Sequence, residues 1–466
     1  MPGRDQKRPL FTAVREHLAR KRGWFHTPAH GGGRWAGPPG LSEAAWWSQD
    51  LTELAGLDSL LQPTGPLAAS QDRAAELAGA GYARYLTGGA SQGIKAALLA
   101  AVGPGDAVLL PRHTHRSVVD GLVLSGAEPV WLEPRMSGPI ADGVTADDYL
   151  AALATRPFKA VLVTHPTYHG AAIDLVPVVS EAHARGATII VDEAHGSLFG
   201  FSPDLPDSGV AAGADLVIQS WHKGAGALTQ AAILFGRPGM VSQQRLDGAL
   251  RVLSSSSPSY LLLLSLEAAA EQLRESGPEA AGRAIATADQ LRNRLASAGF
   301  SCYQPGPGFR LDPTKVTVWL PERGEAVARE LAQAGLDPEM HGRDWLLFLV
   351  SPALEPEEAQ RLVMALEVFV PAGLSLPATG TSWPEAVQIC RPAEAFHQPW
   401  EPVRIEEAAG RTAAETVCPY PPGIPLLVPG ERIDPVIQQR LLADAAAGYL
   451  PRWVNVVSEK EINEGI

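Results

Sequence analysis

The amino-acid sequence predicts an α/β protein: a mostly parallel β-sheet covered by helices on both faces, with a smaller α/β domain toward the C-terminus. Three observations lead there. From about Ala68 short apolar segments alternate strictly with helical ones, the order of a parallel sheet wound through crossover helices. Segments such as "AVLLP" and "TIIVD" are apolar almost throughout, as strands buried on both faces are. With 466 residues, 45% of them hydrophobic, the chain has material for two or three domains and a sizeable core.

Residues 1–67 read as an N-terminal arm. It holds one helix, "LFTAVREHLARK" (10–21), a Gly/Pro-rich loop, "FHTPAHGGGRWAGPPG" (25–40), and "DLTELAGLDSLLQPTGPL" (50–67), and is too poor in strands to be a domain. A large domain over 68–285 follows. The helix "SQDRAAELAGAGYARY" (70–85) leads through a glycine turn into the helix "SQGIKAALLAAV" (91–102). Then come strand "DAVLLP", helix "RSVVDGLVLSG", strand "EPVWLEP", helix "TADDYLAALAT", strand "KAVLVTHP" and helix "LVPVVSEAHARG". Three strands, "ATIIVDEAHG", "ADLVIQSWHK" and "AAILFG", precede a long helix, "SYLLLLSLEAAAEQLRESG" (259–277). The smaller domain, 286–370, is expected from "KVTVWLP", "AVARELAQAG", "WLLFLVS" and "EEAQRLVMALEVF". Residues 371–466 begin as a Pro/Ser/Thr-rich linker and end in a tail with "GRTAAETVCPYPPGIPLLVPGE", whose prolines exclude a regular helix over their span.

Charge and composition narrow the function. Lys plus Arg number 38 against 51 Asp plus Glu, a net charge of −13, and no long basic run could track a phosphate backbone, so nucleic acid is not an expected partner. Three scattered cysteines, Cys302, Cys390 and Cys418, indicate neither a disulfide framework nor a zinc knuckle and fit a reducing cytoplasm. The charged N-terminus has no apolar leader core, and no apolar run reaches membrane-spanning length. No membrane partner is expected. The pairs His113/His115 and His165/His169 have spacings compatible with metal ligation, but no carboxylate or Cys partner accompanies them, so no metal is expected; His169 and His195 read as pocket or core polar groups.

"VDEAHG" (191–196) admits two chemistries. In an NTP-driven motor the Asp would hold Mg²⁺, but the matching P-loop fails: Gly88 and Gly93 are correctly separated, yet Ile94 stands where the Lys belongs and Lys95 is followed by Ala96. The second chemistry sets an acid at a strand end against a cationic heterocycle. "TGGASQG" (87–93) opens a helix, where free N–H groups and the Ser91 hydroxyl suit a monophosphate, although a glycine turn before a helix is also ordinary punctuation. In "DLVIQSWHKGAGALTQ" a strand carries Lys223 to its end, preceded by Ser220 and His222 and followed by small residues. Burial or neighbouring cations make such an amine available for Schiff-base chemistry; the bland reading is a solvated loop Lys. Asp192, about thirty residues earlier, can keep a pyridinium nitrogen protonated and so maintain an electron sink, with Ala194 small enough for a flat ring to lie against it and His115 as a planar lid.

The sequence resembles the ornithine/lysine/arginine decarboxylases of the pyridoxal phosphate fold type I group. Nine blocks carry the resemblance in order: "FHTPAHGGG", "DLTELAGLDSLLQPTGPL", "TGGASQG", "RHTHRSVVDGLVLSGAEPVWLEP", "HPTYHG", "VDEAHG", "QSWHKGAGALTQ", "SSSSPSY" and "PYPPGIPLLVPGE". It implies the seven-stranded-type sheet of aspartate aminotransferase and pyridoxal 5'-phosphate as cofactor. Lys223 would form the Schiff base, Asp192 hold the pyridine nitrogen and His115 stack on the ring. Ala90, Ser91, Ser220 and His222 would lie around the phosphate or its ester oxygen, and Lys223 or His222 would return the proton. Ser256 matches a hydroxyl that reaches the neighbouring subunit's phosphate, which implies a homodimer or dimer of dimers with shared active sites. The bland alternative is that the serines end one helix, with Ser257 or a neighbour as N-cap of the apolar run that follows. Two positions depart from the family: Trp221 replaces the usual Thr, and "PGHK" appears as Pro28, Ala29, His30 and Gly31, which removes a basic side chain from the arm. A flavodoxin-like N-terminal wing is also missing, so the chain looks like the short, wingless branch.

The implied reaction is α-decarboxylation of arginine, lysine or ornithine in polyamine metabolism. Lys with Asp defines the cofactor and not the bond broken, so an aminotransferase or β-eliminating lyase of the same fold is one alternative. "SSSSPSY" and "PYPPGIP" speak against it. A catalytically idle regulatory homologue is the other.

Overall fold

The computed structural model describes residues 7–20, 24–35, 44–369, 383, 386–420 and 423–459. Much of the expected linker (371–382 and 384–385), the end of the Gly/Pro-rich loop (36–40) and Pro421–Pro422 of the tail lie outside the described residues. Seven strands make the main sheet: β1 (Tyr82–Leu86), β2 (Ala107–Pro111), β3 (Glu128–Leu132), β4 (Ala160–Thr164), β5 (Thr188–Asp192), β6 (Leu216–Gln219) and β7 (Ala232–Gly236). Their order is β1-β7-β6-β5-β4-β2-β3. β2 runs parallel to β3 and β4, and β5 to β6, whereas β7 is antiparallel to both β1 and β6. The mostly parallel sheet is as expected. β2, β5, β6 and β7 are buried along their whole length, which the near-continuous apolar runs require.

The expected helix over 70–85 is two elements. A helix spans Pro66–Ala78, Gly79 closes it at φ 70°, and "YARYL" becomes β1. Gly79 takes the left-handed conformation that terminates a helix without a Cβ clash. Tyr82 then faces Gly236, where a Cβ would come 2.1 Å from the Tyr82 ring, so β7 accepts this aromatic only because its register partner is glycine. The helix expected to end at Gly277 instead runs from Tyr260 to Ser297, broken at Ser276 (φ −144°, ψ 20°). Pro278 falls just after the break, in the first turn of the second half, where its missing N–H costs little.

The chain forms two compact units. The first comprises residues up to Ala100, Ile190–Pro203 and Asp207–Ala281; the second Ala101–Ile189, Asp204–Pro206 and the chain from Gly282 onward. In the first unit Glu267 accepts from Leu10 N (2.9 Å) and Phe11 N (2.7 Å), anchoring the start of the helix Pro9–Ala19. Beside the altered Pro28–Gly31 segment, Arg34 Nε donates to Gly31 O at 2.9 Å, and a Cβ at Gly31 would lie 3.1 Å from that nitrogen. Asp58 organises the following turn. Its buried carboxylate accepts from the N–H groups of Ser59, Thr64, Gly65, Leu67 and Ala68 at 2.7–3.3 Å, while its own N–H donates to Tyr260 Oη at 2.9 Å. Orphan N–H groups of the helix Pro66–Ala78, which has no N-cap side chain from Gly65, are thereby met from nine and ten residues away, at Leu67 and Ala68.

In the second unit an antiparallel sheet of Lys315–Trp319, Trp345–Leu349 and Met340–His341 packs with helices Gly324–Gln333 and Pro356–Glu367 around Val316, Val318, Leu331, Leu346 and Leu366. Two of the strands and both helices fall on the four expected segments; the two-residue strand Met340–His341 was not among them. The tail adds the antiparallel strand pair Trp400–Arg404 and Trp453–Val457 over its own core. "LLVPGE" is held by a buried ion pair: Arg112 Nη2 donates to Glu431 Oε2 at 2.9 Å and to Leu426 O at 3.1 Å, with the guanidinium 5.0 Å from the Trp131 ring centre. No helix of the described residues is long and apolar enough to cross a membrane.

Asp58→Ala is expected to cost about 2–3 kcal/mol, because several helix-start donors lose a charged acceptor at once. Urea unfolding checks it; an unchanged midpoint would remove the capping role.

Candidate active site

β5 and β6 are parallel neighbours with Asp192 opposite Ile218. The acid and the lysine therefore leave adjacent strands of the first unit, as their spacing predicts. Lys223 is not on the strand itself, a correction to the expected geometry: β6 stops at Gln219 and Trp221–Lys223 form one 3-10 turn. The chain must fold back there, and Trp221 O accepts from Ala225 N (3.0 Å) and Ala227 N (3.3 Å) while Lys223 N donates to Ser220 O (3.2 Å). Of the small residues after Lys223, Gly224 is the one packed closely, since a Cβ there would come 2.6 Å from Ser197 Oγ.

Asp192 is 5% exposed. Burial pushes its pKa up, opposed by the Ala194 N–H, which donates to Oδ1 at 3.2 Å, and by the Lys223 charge. Such a carboxylate favours an incoming cationic N–H donor, which restores the charge balance that burial upsets. Lys223 Nζ lies 2.9 Å from His195 Nε2. His195, expected only as a pocket or core polar group, is thus the lysine's direct partner; the turn from Asp192 that brings it there could not be read from the four letters alone. His222 Nδ1 lies 3.1 Å from Ala231 O. A carbonyl only accepts, so Nδ1 carries the proton, and burial lowers the ring's pKa. Burial thus favours the neutral imidazole, whose unprotonated nitrogen is then Nε2.

The glycine turn is built as a helix start. Gly89 has φ 75° and opens the helix Gly89–Ala101, with Ala90 buried and Ser91 half-buried. A Cβ at Gly93 would fall 2.7 Å from Leu86 Cδ1 and 2.9 Å from Ile218 Cγ2, so glycine lets the helix lie directly on β1 and β6. Gln92 ties the turn to the serine stretch: its Oε1 accepts from Gly88 N (2.9 Å) and its Nε2 donates to Ser254 Oγ (2.6 Å). Ser256, two residues on, is exposed, Ser220 is buried and Ala194 half-buried.

The first unit thus contains every expected site residue except His115. That residue belongs to the second unit, as N-cap of the helix Arg116–Ser125, where its Nδ1 accepts from Ser117 N at 3.2 Å, placing the ring proton on Nε2. His113 and His169 are core residues whose pKa burial lowers to about 4 and about 3; His169 Nδ1 lies 3.0 Å from Thr317 Oγ1 and its ring meets Trp345 edge-on. Among the described residues no group of three or more His, Cys, Asp or Glu side chains could hold a metal ion.

Family models described as "Orn/Lys/Arg decarboxylase, major domain" and "Orn/Lys/Arg decarboxylase, C-terminal domain" match residues 8–307 and 381–448. The chain is 34% identical over 446 residues to an arginine decarboxylase of Bacillus subtilis, covering 91% of each chain. It is 35% identical over 454 residues to an arginine decarboxylase of Halalkalibacterium halodurans, covering 92% of each. Among solved structures it superimposes on the Francisella novicida lysine decarboxylase LdcF with a TM-score of 0.82 at 19% identity, covering 98% of this chain and 82% of that one.

The glycine of "VDEAHG" yields a stability test. A Cβ at Gly196 would come 2.6 Å from Glu193 Cγ and 2.8 Å from the Phe199 ring, whereas one at Gly282, in a helix, meets nothing within 4 Å. Thermal melts should show Gly196→Ala destabilised by about 1–3 kcal/mol and Gly282→Ala unchanged or slightly stabilised. Equal melting of the two variants would show that the turn has room to spare.

Proposed function

The chain belongs to the Orn/Lys/Arg decarboxylase family, and from that premise we propose that it removes the α-carboxyl group of a basic amino acid with pyridoxal 5'-phosphate as cofactor. Arginine is the favoured substrate, because the relatives at 33–35% identity that carry a named activity are arginine decarboxylases. The observation that carries the reading is the buried Asp192 carboxylate leaving the strand next to the one that leads to Lys223. The residues fit the cofactor group by group: a carboxylate for a cationic ring nitrogen, an amine for an aldehyde carbon, and a glycine-opened helix start with Ser91 for a phosphate.

When bound, the cofactor supplies an electron sink for the pair released by the breaking carbon–carbon bond. Asp192 would hold the ring nitrogen protonated, and Lys223 Nζ would hold the aldehyde carbon. Ala90, Ser91, Ser220 and His222 would surround the phosphate, and Ala194 would lie against the ring. Lys223 Nζ and His222 Nε2 are the groups that can hold the proton returned to the α-carbon. His195 keeps the Lys223 amine in place by its 2.9 Å contact. The exposed Ser256 would reach the phosphate of a second copy, making the protein a homodimer or dimer of dimers with shared sites. The amine product would enter polyamine synthesis in the cytoplasm.

Incubation of the purified, cofactor-loaded protein with arginine, lysine and ornithine separately should release carbon dioxide and agmatine from arginine at the highest kcat/KM. Lys223→Ala should be colourless and inactive, and borohydride should fix label on the wild-type peptide containing Lys223. Asp192→Asn should retain cofactor through the phosphate contacts but lose at least about 100-fold in kcat, because a neutral amide cannot hold the ring nitrogen protonated. Transamination without carbon dioxide release would reject the decarboxylase reading.

Subunit sharing has its own test. Lys223→Ala protein is mixed with an inactive variant bearing a bulky residue at Ser256. If Ser256 crosses to the partner's site, some mixed dimers gather both defects into one site and activity reappears after subunit exchange. No recovery, with exchange confirmed, would mean that Ser256 serves its own chain.

A further inference from the structure

Trp221 lies two residues before Lys223, in the turn that follows β6. It is 2% exposed and packs toward Phe235, ring centres 6.3 Å apart. Its indole Nε1 donates to Gln219 Oε1 at 2.9 Å. An indole nitrogen has no acceptor capacity, so the oxygen of the Gln219 amide must face it and the NH₂ must point away. That NH₂ donates to Glu193 Oε1 at 2.5 Å, and Gly209 N donates to Glu193 Oε2 at 2.5 Å. Both oxygens of this fully buried carboxyl thus face nitrogens that only donate. A carboxylate satisfies them both; a carboxylic acid would turn its O–H toward a donor. Burial opposes the ionised form and lifts Glu193 to about 8, with the charge of the adjacent Asp192 adding to the rise. A threonine hydroxyl donates or accepts equally well and would not set the amide's orientation.

We infer that Trp221 is a positioning residue for catalysis: by fixing the Gln219 amide it keeps Glu193 accepting on both oxygens and ties the end of β5, which bears Asp192, to the turn that bears Lys223. The inference rests on the proposed roles of Asp192 and Lys223. The indole fills the core beside the site, and its only polar atom orders the acceptor chain behind Asp192.

Trp221→Phe keeps an aromatic ring beside Phe235 and removes the donor. The folded, cofactor-loaded variant should lose about tenfold in kcat with KM for the amino acid unchanged. The midpoint of the pH titration of the cofactor's visible absorbance should move by about one unit, a shift that loosened packing alone would not produce. In a Glu193→Gln background the same substitution should add nothing, because the chain of contacts ends at Glu193. Wild-type turnover and titration in folded Trp221→Phe, or additive losses in the double variant, would overturn the inference. If Trp221→Phe does not fold, Gln219→Met, which leaves the indole in place, carries the same expectations. Retention of covalent cofactor by Lys223→Ala would instead reject the proposed site; a colourless Lys223→Ala beside a Trp221→Phe that behaves as wild type rejects only the positioning role.

Discussion

A carboxylate taken out of water has to be met by donors, and the end of β5 sets that demand twice in succession. Asp192 and Glu193 are both buried, and successive residues leaving a strand point to opposite sides. Glu193 takes the inner side, where Gly209 N and Gln219 Nε2 meet it; Asp192 takes the other, with the Ala194 N–H and the Lys223 charge. Leaving a buried carboxylate unmatched costs several kcal/mol, more than a strained loop does. The local chain bends to satisfy them. Gly209 must approach within hydrogen-bonding distance of Glu193 while its Cα lies so near the sheet that a Cβ would come 3.0 Å from Val217 and 3.1 Å from Val191. Gly196 makes room for the Glu193 stem, and the turn it permits delivers His195 to Lys223.

The same rule organises the rest of the chain. Asp58 gathers five backbone donors at the start of one helix, and Arg112 reaches 319 residues along the sequence to Glu431. Arg112 and Glu431 are each 1% exposed at the side chain; breaking such a pair leaves one charge stranded, which typically costs about 3–5 kcal/mol. "DLTELAGLDSLLQPTGPL" and "PYPPGIPLLVPGE" thereby acquire a structural meaning. Each supplies a buried acid: Asp58 meets donors of its own turn and the helix that follows, Glu431 a guanidinium 319 residues away.

Much of this was legible beforehand. The apolar runs marked every strand of the main sheet except β1, and the Asp–Lys spacing marked two neighbouring parallel strands. "YARYL" was misread as helix because its residues suit a helix as well as a strand; pairing with β7 and the Tyr82–Gly236 contact decide for the strand. The turn at Lys223, the partnership with His195 and the return of Arg34 over Gly31 depend on contacts between residues with no shared period. Ser254 holding the glycine turn through Gln92 is of the same kind.

By itself the sequence determined the α/β class, the family, and which side chains carry charge or reactivity, because periodicity and motif order are properties of the chain written in a line. Only the tertiary structure decided which side of β5 each carboxylate faces, which nitrogen meets Lys223, and what Trp221 does two positions before it. Those depend on donor geometry within a few ångströms across strands, and hydrogen bonds between distant residues leave no spacing in the sequence from which to read them.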